Sequence, residues 1–152
     1  MGSGKSTLGK KLANHLNKQF IDLDSEIEKQ EGRSVEEIFS NEGEVNFRRI
    51  EKEVLNKIID SEKNFIMALG GGTPCFFDNI VVINKSGVSI YLKYNVGMLV
   101  SRLVNAKSAR PLLLNKTKVE LRKYVEDTLE KRGKLYKRCQ YTIEGDNIKV
   151  ED

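Results

Sequence analysis

Gly2-Ser3-Gly4-Lys5-Ser6-Thr7 runs directly into an amphipathic helical pattern, and no other feature of the 152-residue chain restricts its fold as tightly. Two glycines two residues apart let successive backbone N–H groups turn inward around an anion. A helix starting just after them offers its N-terminal amides and the positive end of its dipole to the same anion. Leu8, Leu12 and Leu16 share one face, which predicts a helix over 7–16. In the pattern G-x-x-x-x-G-K-[ST], Lys5 is placed to reach the β- and γ-phosphates of a nucleotide, and the Ser6 hydroxyl to ligate Mg²⁺. A flexible Gly/Ser-rich tail is the alternative, and the helix that follows at once argues against it.

Such a turn joins a strand to a helix, so the rest of the chain should alternate the two. It does. Residues 20–24 read as a strand, with Ile21 and Leu23 on one side and Asp22 and Asp24 on the other. Short helices are predicted over 25–30 and 34–39. A longer one follows over 43–60, with Phe47, Ile50, Val54 and Ile58 in phase. The apolar run 65–69 reads as a strand buried on both faces, and it ends in Gly70-Gly71-Gly72. A strand over 89–92, helices over 96–103 and 119–137, and a strand over 141–143 complete the pattern. No repeat, linker or low-complexity stretch interrupts it, so a single domain over 1–152 is expected. The first glycine of the phosphate-binding pattern and its strand would precede Met1, and a further helix would follow the last residue. A leading apolar segment of roughly 8–12 residues would supply that strand and its turn. Without it the chain is expected to be poorly stable or inactive.

Several side chains have the chemistry of a phosphotransfer site. Asp22 and Asp24 lie at the carboxyl end of a strand, where ligands of open α/β sheets collect. One could hold Mg²⁺ through water and the other accept a hydrogen bond from an attacking hydroxyl, although an Asp here could equally cap the next helix. Arg48 and Glu51 share a helix face, and out of context a solvated surface pair is the plainer reading. Three glycines after a strand let a backbone approach a ligand closely. Arg110-Pro111-Leu112 sits in a polar stretch between two helices, about 105–118, whose length suits a mobile lid. Arg132 lies on the last long helix near Tyr136. His15, the only histidine, has no partner in view and reads as a surface residue.

In order along the chain, Gly-Ser-Gly-Lys-Ser-Thr, Asp-x-Asp, Phe-Arg-x-x-Glu, Gly-Gly-Gly, Arg-Pro-Leu-Leu and Arg-x-x-Leu-Tyr resemble the shikimate kinase family over essentially the whole sequence. The resemblance implies an α/β fold of the P-loop NTPase class, three layers α/β/α around a parallel sheet of order 2-3-1-4-5, with strand 1 absent from this chain. It implies ATP and Mg²⁺, and transfer of a phosphoryl group to shikimate in the route to chorismate and the aromatic amino acids. Gly2, Ser3, Gly4, Lys5, Ser6 and Thr7 would bind the ATP phosphates. Ser6 and Asp22 would serve the metal. Asp24, Arg48, Gly71, Gly72 and Arg132 would hold shikimate, with the substrate region at about 24–61. Glu51 would orient Arg48, and Arg110 would close over the phosphates. Lys5, Asp24 and Arg110 would carry the catalysis. The chain departs from the family at Ala68-Leu69, where a small hydroxyl residue is more usual, and at Asn147 or Lys149, which stand where an Arg often meets adenine.

Bulk properties exclude other classes. A net charge of +4 from 26 basic and 22 acidic residues suits an anion pocket rather than nucleic acid, and no aromatic cluster marks an RNA-binding sheet face. No apolar run reaches the length of a membrane span and no signal peptide is visible, so the cytoplasm is the expected setting; the expected state, which these features do not decide, is a monomer. Cys75 and Cys139 have neither metal nor disulfide spacing and are expected to be reduced and incidental. A gluconate-type kinase, which would share the phosphate loop and the lid arginine, and an inactive nucleotide-binding fragment are the competing readings.

Overall fold

The computed structural model describes residues 2–105 and 116–152. Its contacts gather into two compact units, Met1–Gly4 with Ile83–Asp152, and Lys5–Val82.

In the Lys5–Val82 unit, helix α1 (Lys5–His15) begins two residues before the predicted start. Strand β1 (Gln19–Asp22) pairs in parallel with β2 (Phe65–Ala68), from Gln19 opposite Phe65 to Asp22 opposite Ala68. Helix α2 (Leu23–Glu31) follows β1 without a gap. The predicted strand over 20–24 is therefore too long, and Asp24 stands in the first turn of a helix rather than at a strand end. The cause is Asp22, whose extended backbone and side chain cap α2 by accepting from the Ser25 amide. Leu23 and Ile27, one helical turn apart, are then both fully buried.

Helix α3 (Val35–Ser61) opens with a reciprocal cap: Glu37 N donates to Ser34 Oγ at 3.1 Å, and Ser34 N donates to Glu37 Oε2 at 2.7 Å. Gly43, at φ 78°, breaks it into the two helical segments expected at 34–39 and 43–60. Phe47, Val54, Leu55 and Ile58 are buried, whereas Ile50 is only half-buried. Strand β2 is less enclosed than a run buried on both faces should be: Phe65, Ile66 and Met67 are half-buried and only Ala68 is buried. Within its unit β2 has one hydrogen-bonded neighbour, β1, and so one covered edge. After the three glycines the chain makes a 3-10 turn, Thr73–Cys75, and helix α4 (Asn79–Ser86), an element the sequence pattern did not reveal. Its eight residues, Asn-Ile-Val-Val-Ile-Asn-Lys-Ser, are too few and too β-branched to announce a helix.

In the other unit, β3 (Ile90–Lys93) and β4 (Tyr141–Glu144) pair in parallel, from Ile90 opposite Tyr141 to Lys93 opposite Glu144. Helices α5 (Val96–Asn105) and α6 (Lys118–Tyr136) pack together and bury Leu99, Val100, Leu103, Leu121 and Val125. A second capping box, Thr117 with Glu120, starts α6. Arg110 and the central part of the expected lid, 106–115, lie outside the described residues.

Candidate functional site

Gly2 and Gly4 adopt the left-handed backbone, φ 64° and 76°, that an inward-turning run of amides requires. Between them Ser3 is buried, and its carbonyl accepts from Arg102 Nη1 at 3.2 Å. The Arg102 guanidinium lies over the Tyr94 ring, 4.2 Å from its centroid. This cation, fixed against the glycine-rich segment within the same unit, was not singled out in the sequence, where it is one Arg among many.

In the Lys5–Val82 unit, α1 starts at Lys5 and leaves its first-turn amides at the end of the glycine-rich turn. The Ser6 hydroxyl donates to Asp22 Oδ2 at 2.6 Å, which joins the two residues proposed for a metal. Asp22 thus performs the capping role and faces Ser6 as well. Asp24 is half-buried, and its carboxyl is pushed above the ordinary aspartate value. Burial is the main cause, the charges of Asp22, Glu51 and Glu28 add to it, and Lys5 opposes it. A carboxylate held reluctantly ionised beside a lysine is suited to accept a proton.

Arg48 and Glu51 are buried, 6% and 1% exposed, so the plain surface-pair reading is overturned. Arg48 Nη1 donates to Glu51 Oε1 at 2.8 Å. The faces of the guanidinium meet three rings, those of Phe76, Phe47 and Phe39, at 4.3, 5.1 and 5.8 Å from its central carbon. Arg48 Nε and Nη2 donate to Glu44 Oε1 at 3.3 and 3.2 Å, and the Glu44 side chain is half exposed. A rigidly held arginine therefore turns one donor edge toward a carboxylate at the protein surface.

The glycine triplet closes around these groups. A Cβ on Gly72 would stand 2.2 Å from Arg48 Nη2. One on Gly70 would stand 3.1 Å from Thr73 Oγ1, 3.3 Å from Asp24 Oδ1 and 3.5 Å from Glu51 Oε2, so the backbone passes close to both carboxylates and a side chain there would crowd them. The structure thus brings together Asp24, Arg48, Glu51, Gly70 and Gly72, and separately Ser6 and Asp22.

Arg132 is half-buried on α6 and makes no ion pair among the described residues. His15 is exposed in the last turn of α1, as expected. Cys75 and Cys139 form no disulfide among the described residues, and burial pushes the Cys139 thiol up. Among the described residues no three of His, Cys, Asp or Glu form a metal cluster, and no helix is long and apolar enough to cross a membrane. Sequence reasoning missed Thr73, which is fully buried and donates from Oγ1 to Glu51 Oε2 at 2.7 Å. Its only signal was its place directly after the glycine triplet.

Comparisons with known proteins give the family. The shikimate kinase family model matches residues 1–152. A shikimate kinase of Azobacteroides pseudotrichonymphae is 45% identical over 136 residues, 90% of this chain and 80% of that protein. A crystal structure of shikimate kinase from Bacteroides thetaiotaomicron superposes with a TM-score of 0.94 at 38% identity, covering 99% of this chain and 88% of that one. Shikimate kinase from Acinetobacter baumannii in complex with shikimate gives a TM-score of 0.87 at 36% identity, covering 100% of this chain and 83% of that one.

Proposed function

We propose a division of labour among the residues of this chain from the premise that it belongs to the shikimate kinase family, has the P-loop NTPase fold and phosphorylates shikimate with ATP. The observation that carries it is the buried Arg48–Glu51 pair enclosed by Gly72 and set beside Asp24. An arginine with fixed faces and one donor edge already turned to a half-exposed carboxylate, that of Glu44, is built to take a carboxylate by charge-assisted hydrogen bonds. Shikimate carries one carboxylate and three hydroxyls. Arg48 holds the carboxylate, and Arg132, by its place in the family pattern, binds the same group. Gly71 and Gly72 line the substrate by backbone. Asp24 accepts the hydrogen bond of the attacking hydroxyl and takes its proton as that oxygen bonds to the γ-phosphorus and the bond to the ADP oxygen breaks.

Gly2 to Thr7 cradle the ATP phosphates, and Lys5 lies against the transferring group. Arg110 joins it by the same family pattern. Catalysis of this reaction rests largely on such fixed positive charge. The donor set fits a magnesium ion: Ser6 and Asp22 bring a hydroxyl and a carboxylate oxygen within 2.6 Å, and this small cation takes few protein oxygens and completes its shell with water and phosphate. When bound, it neutralises phosphate charge. Expected setting and state are a single-domain cytoplasmic monomer.

The test is ADP release from ATP with shikimate, gluconate and nucleoside monophosphates as acceptors, with and without Mg²⁺. Turnover on shikimate with Mg²⁺ required is expected. Lys5→Ala should lower kcat about 100-fold or more. Near-normal turnover in that variant would remove Lys5 from the mechanism. Arg48→Ala and Arg132→Ala should each weaken shikimate binding by roughly 2–5 kcal/mol in calorimetry and leave ATP binding almost unchanged.

A further inference from the structure

Glu51 is 1% exposed, and a carboxylate that deeply buried needs a partner for each oxygen. Oε1 takes the Arg48 hydrogen bond at 2.8 Å, which leaves Oε2. The Thr73 hydroxyl supplies it at 2.7 Å from a side chain with no exposed surface. Thr73 is itself held at both ends. Its amide donates to Gly70 O at 3.1 Å, across the glycine triplet. Its carbonyl accepts from Asn79 Nδ2 at 2.9 Å, and Asn79, the first residue of α4, is also fully buried. Pro74 then stiffens the 3-10 turn that presents the hydroxyl.

We infer that Thr73 is a positioning residue for shikimate recognition, acting through Glu51: its hydroxyl fixes the Glu51 carboxylate, which in turn fixes the edge that Arg48 offers to the substrate. The inference rests on the reading that Arg48 binds the shikimate carboxylate. Three features set this contact apart from a generic buried hydrogen bond. It spans 22 residues, so it locks helix α3 to the segment after β2. It ends on an ionised group, where a hydrogen bond is worth about twice a neutral one. It also shares its scaffold with Gly72, which abuts the same guanidinium. Removing the hydroxyl would free the Glu51 carboxylate to rotate, and the Arg48 edge would turn with it. ATP contacts, which lie on other residues, would be untouched.

The experiment compares Thr73→Val, Thr73→Ala and Thr73→Ser with the parent for kcat and for KM toward each substrate, with thermal unfolding of each. Val and Ala should raise the KM for shikimate about tenfold or more and leave the KM for ATP within twofold. Ser, which keeps the hydroxyl, should stay within about threefold for both. A second hydroxyl-lacking variant is included so that poor folding of Val does not decide the outcome. A shikimate KM within twofold of the parent in Val or Ala overturns the role, and so does a Ser variant as impaired as Val or Ala. Arg48→Ala is measured beside them. If it leaves shikimate affinity intact, the assignment of Arg48 fails, and the role of Thr73 with it. If it abolishes affinity while Val and Ala keep theirs, Arg48 stands and Thr73 alone is refuted.

Discussion

Gly72 lies so close to Arg48 that any side chain there would occupy the space of the guanidinium, with its Cβ 2.2 Å from Nη2 and 2.7 Å from Nη1. Those nitrogens are held by Glu44 and Glu51 and enclosed by rings, so they cannot retreat without breaking charged hydrogen bonds.

Gly72→Ala should therefore displace Arg48 and raise the KM for shikimate about tenfold or more, with the KM for ATP little changed. Gly87→Ala, where an added Cβ meets nothing within 4 Å, is the control and should match the parent in both constants. Steady-state kinetics with each substrate varied in turn checks this. An unimpaired Gly72→Ala enzyme would mean that Arg48 has another position open to it.

Asp24 ties stability to pH. Its folded-state pKa is raised, chiefly by burial, so the folded protein binds that proton more tightly than the unfolded chain. The resulting stabilisation is fully present below the unfolded pKa and is lost as pH rises through the folded one. At neutral pH the ionised carboxylate is a liability, and Asp24→Asn should melt higher than the parent. The gain should shrink as pH falls into the carboxylate range. The same variant should lose most of kcat and the acidic limb of its pH–rate profile, because the proposed proton acceptor is gone. Melting curves over a pH series, paired with kcat/KM, test both halves.

Glu44 occupies the Arg48 edge that shikimate is proposed to take, through bonds of 3.3 and 3.2 Å and from a half-exposed side chain. Substrate must displace it. Exposed ion pairs are worth about 0.2–1 kcal/mol, and the half-exposed Glu44 side chain sets this part-buried pair near the upper end of that range. Glu44→Gln should thus lower the KM for shikimate by about two- to fivefold and leave kcat near the parent value. A KM that rises would show that Glu44 helps hold the substrate rather than standing in its place.

Ser6 and Asp22 hydrogen-bond at 2.6 Å and are proposed to share the magnesium ion. Ser6→Ala and Asp22→Asn should each shift the Mg²⁺ concentration for half-maximal activity upward by about tenfold. Asp22→Asn should keep α2 capped, since Asn caps as well as Asp. Circular dichroism would verify that the helix survives, so that a changed Mg²⁺ titration reports on the metal alone.

Local features of this protein were legible in its sequence because they are set by neighbours along the chain. Helix α1 follows from the spacing of Leu8 and Leu12, the two helical segments about Gly43 from two separate helical patterns, and the glycine-rich turn from Gly2 and Gly4. The ordered motifs carried the family. What only the tertiary structure decided are the states of side chains whose partners are distant. Spacing put Arg48 and Glu51 on one helix face, but not whether that face was wet. Enclosure by Phe76 and Gly72, from a segment beyond β2, made it dry. Thr73 gained its partner from 22 residues away and Ser6 from 16. Asp24 became a helix residue because Asp22 took the cap. The periodicity of a sequence reports direction from the backbone. Desolvation, which fixes the strength of a charged hydrogen bond and the pKa of a carboxylate, depends on what else the fold brings to the same place.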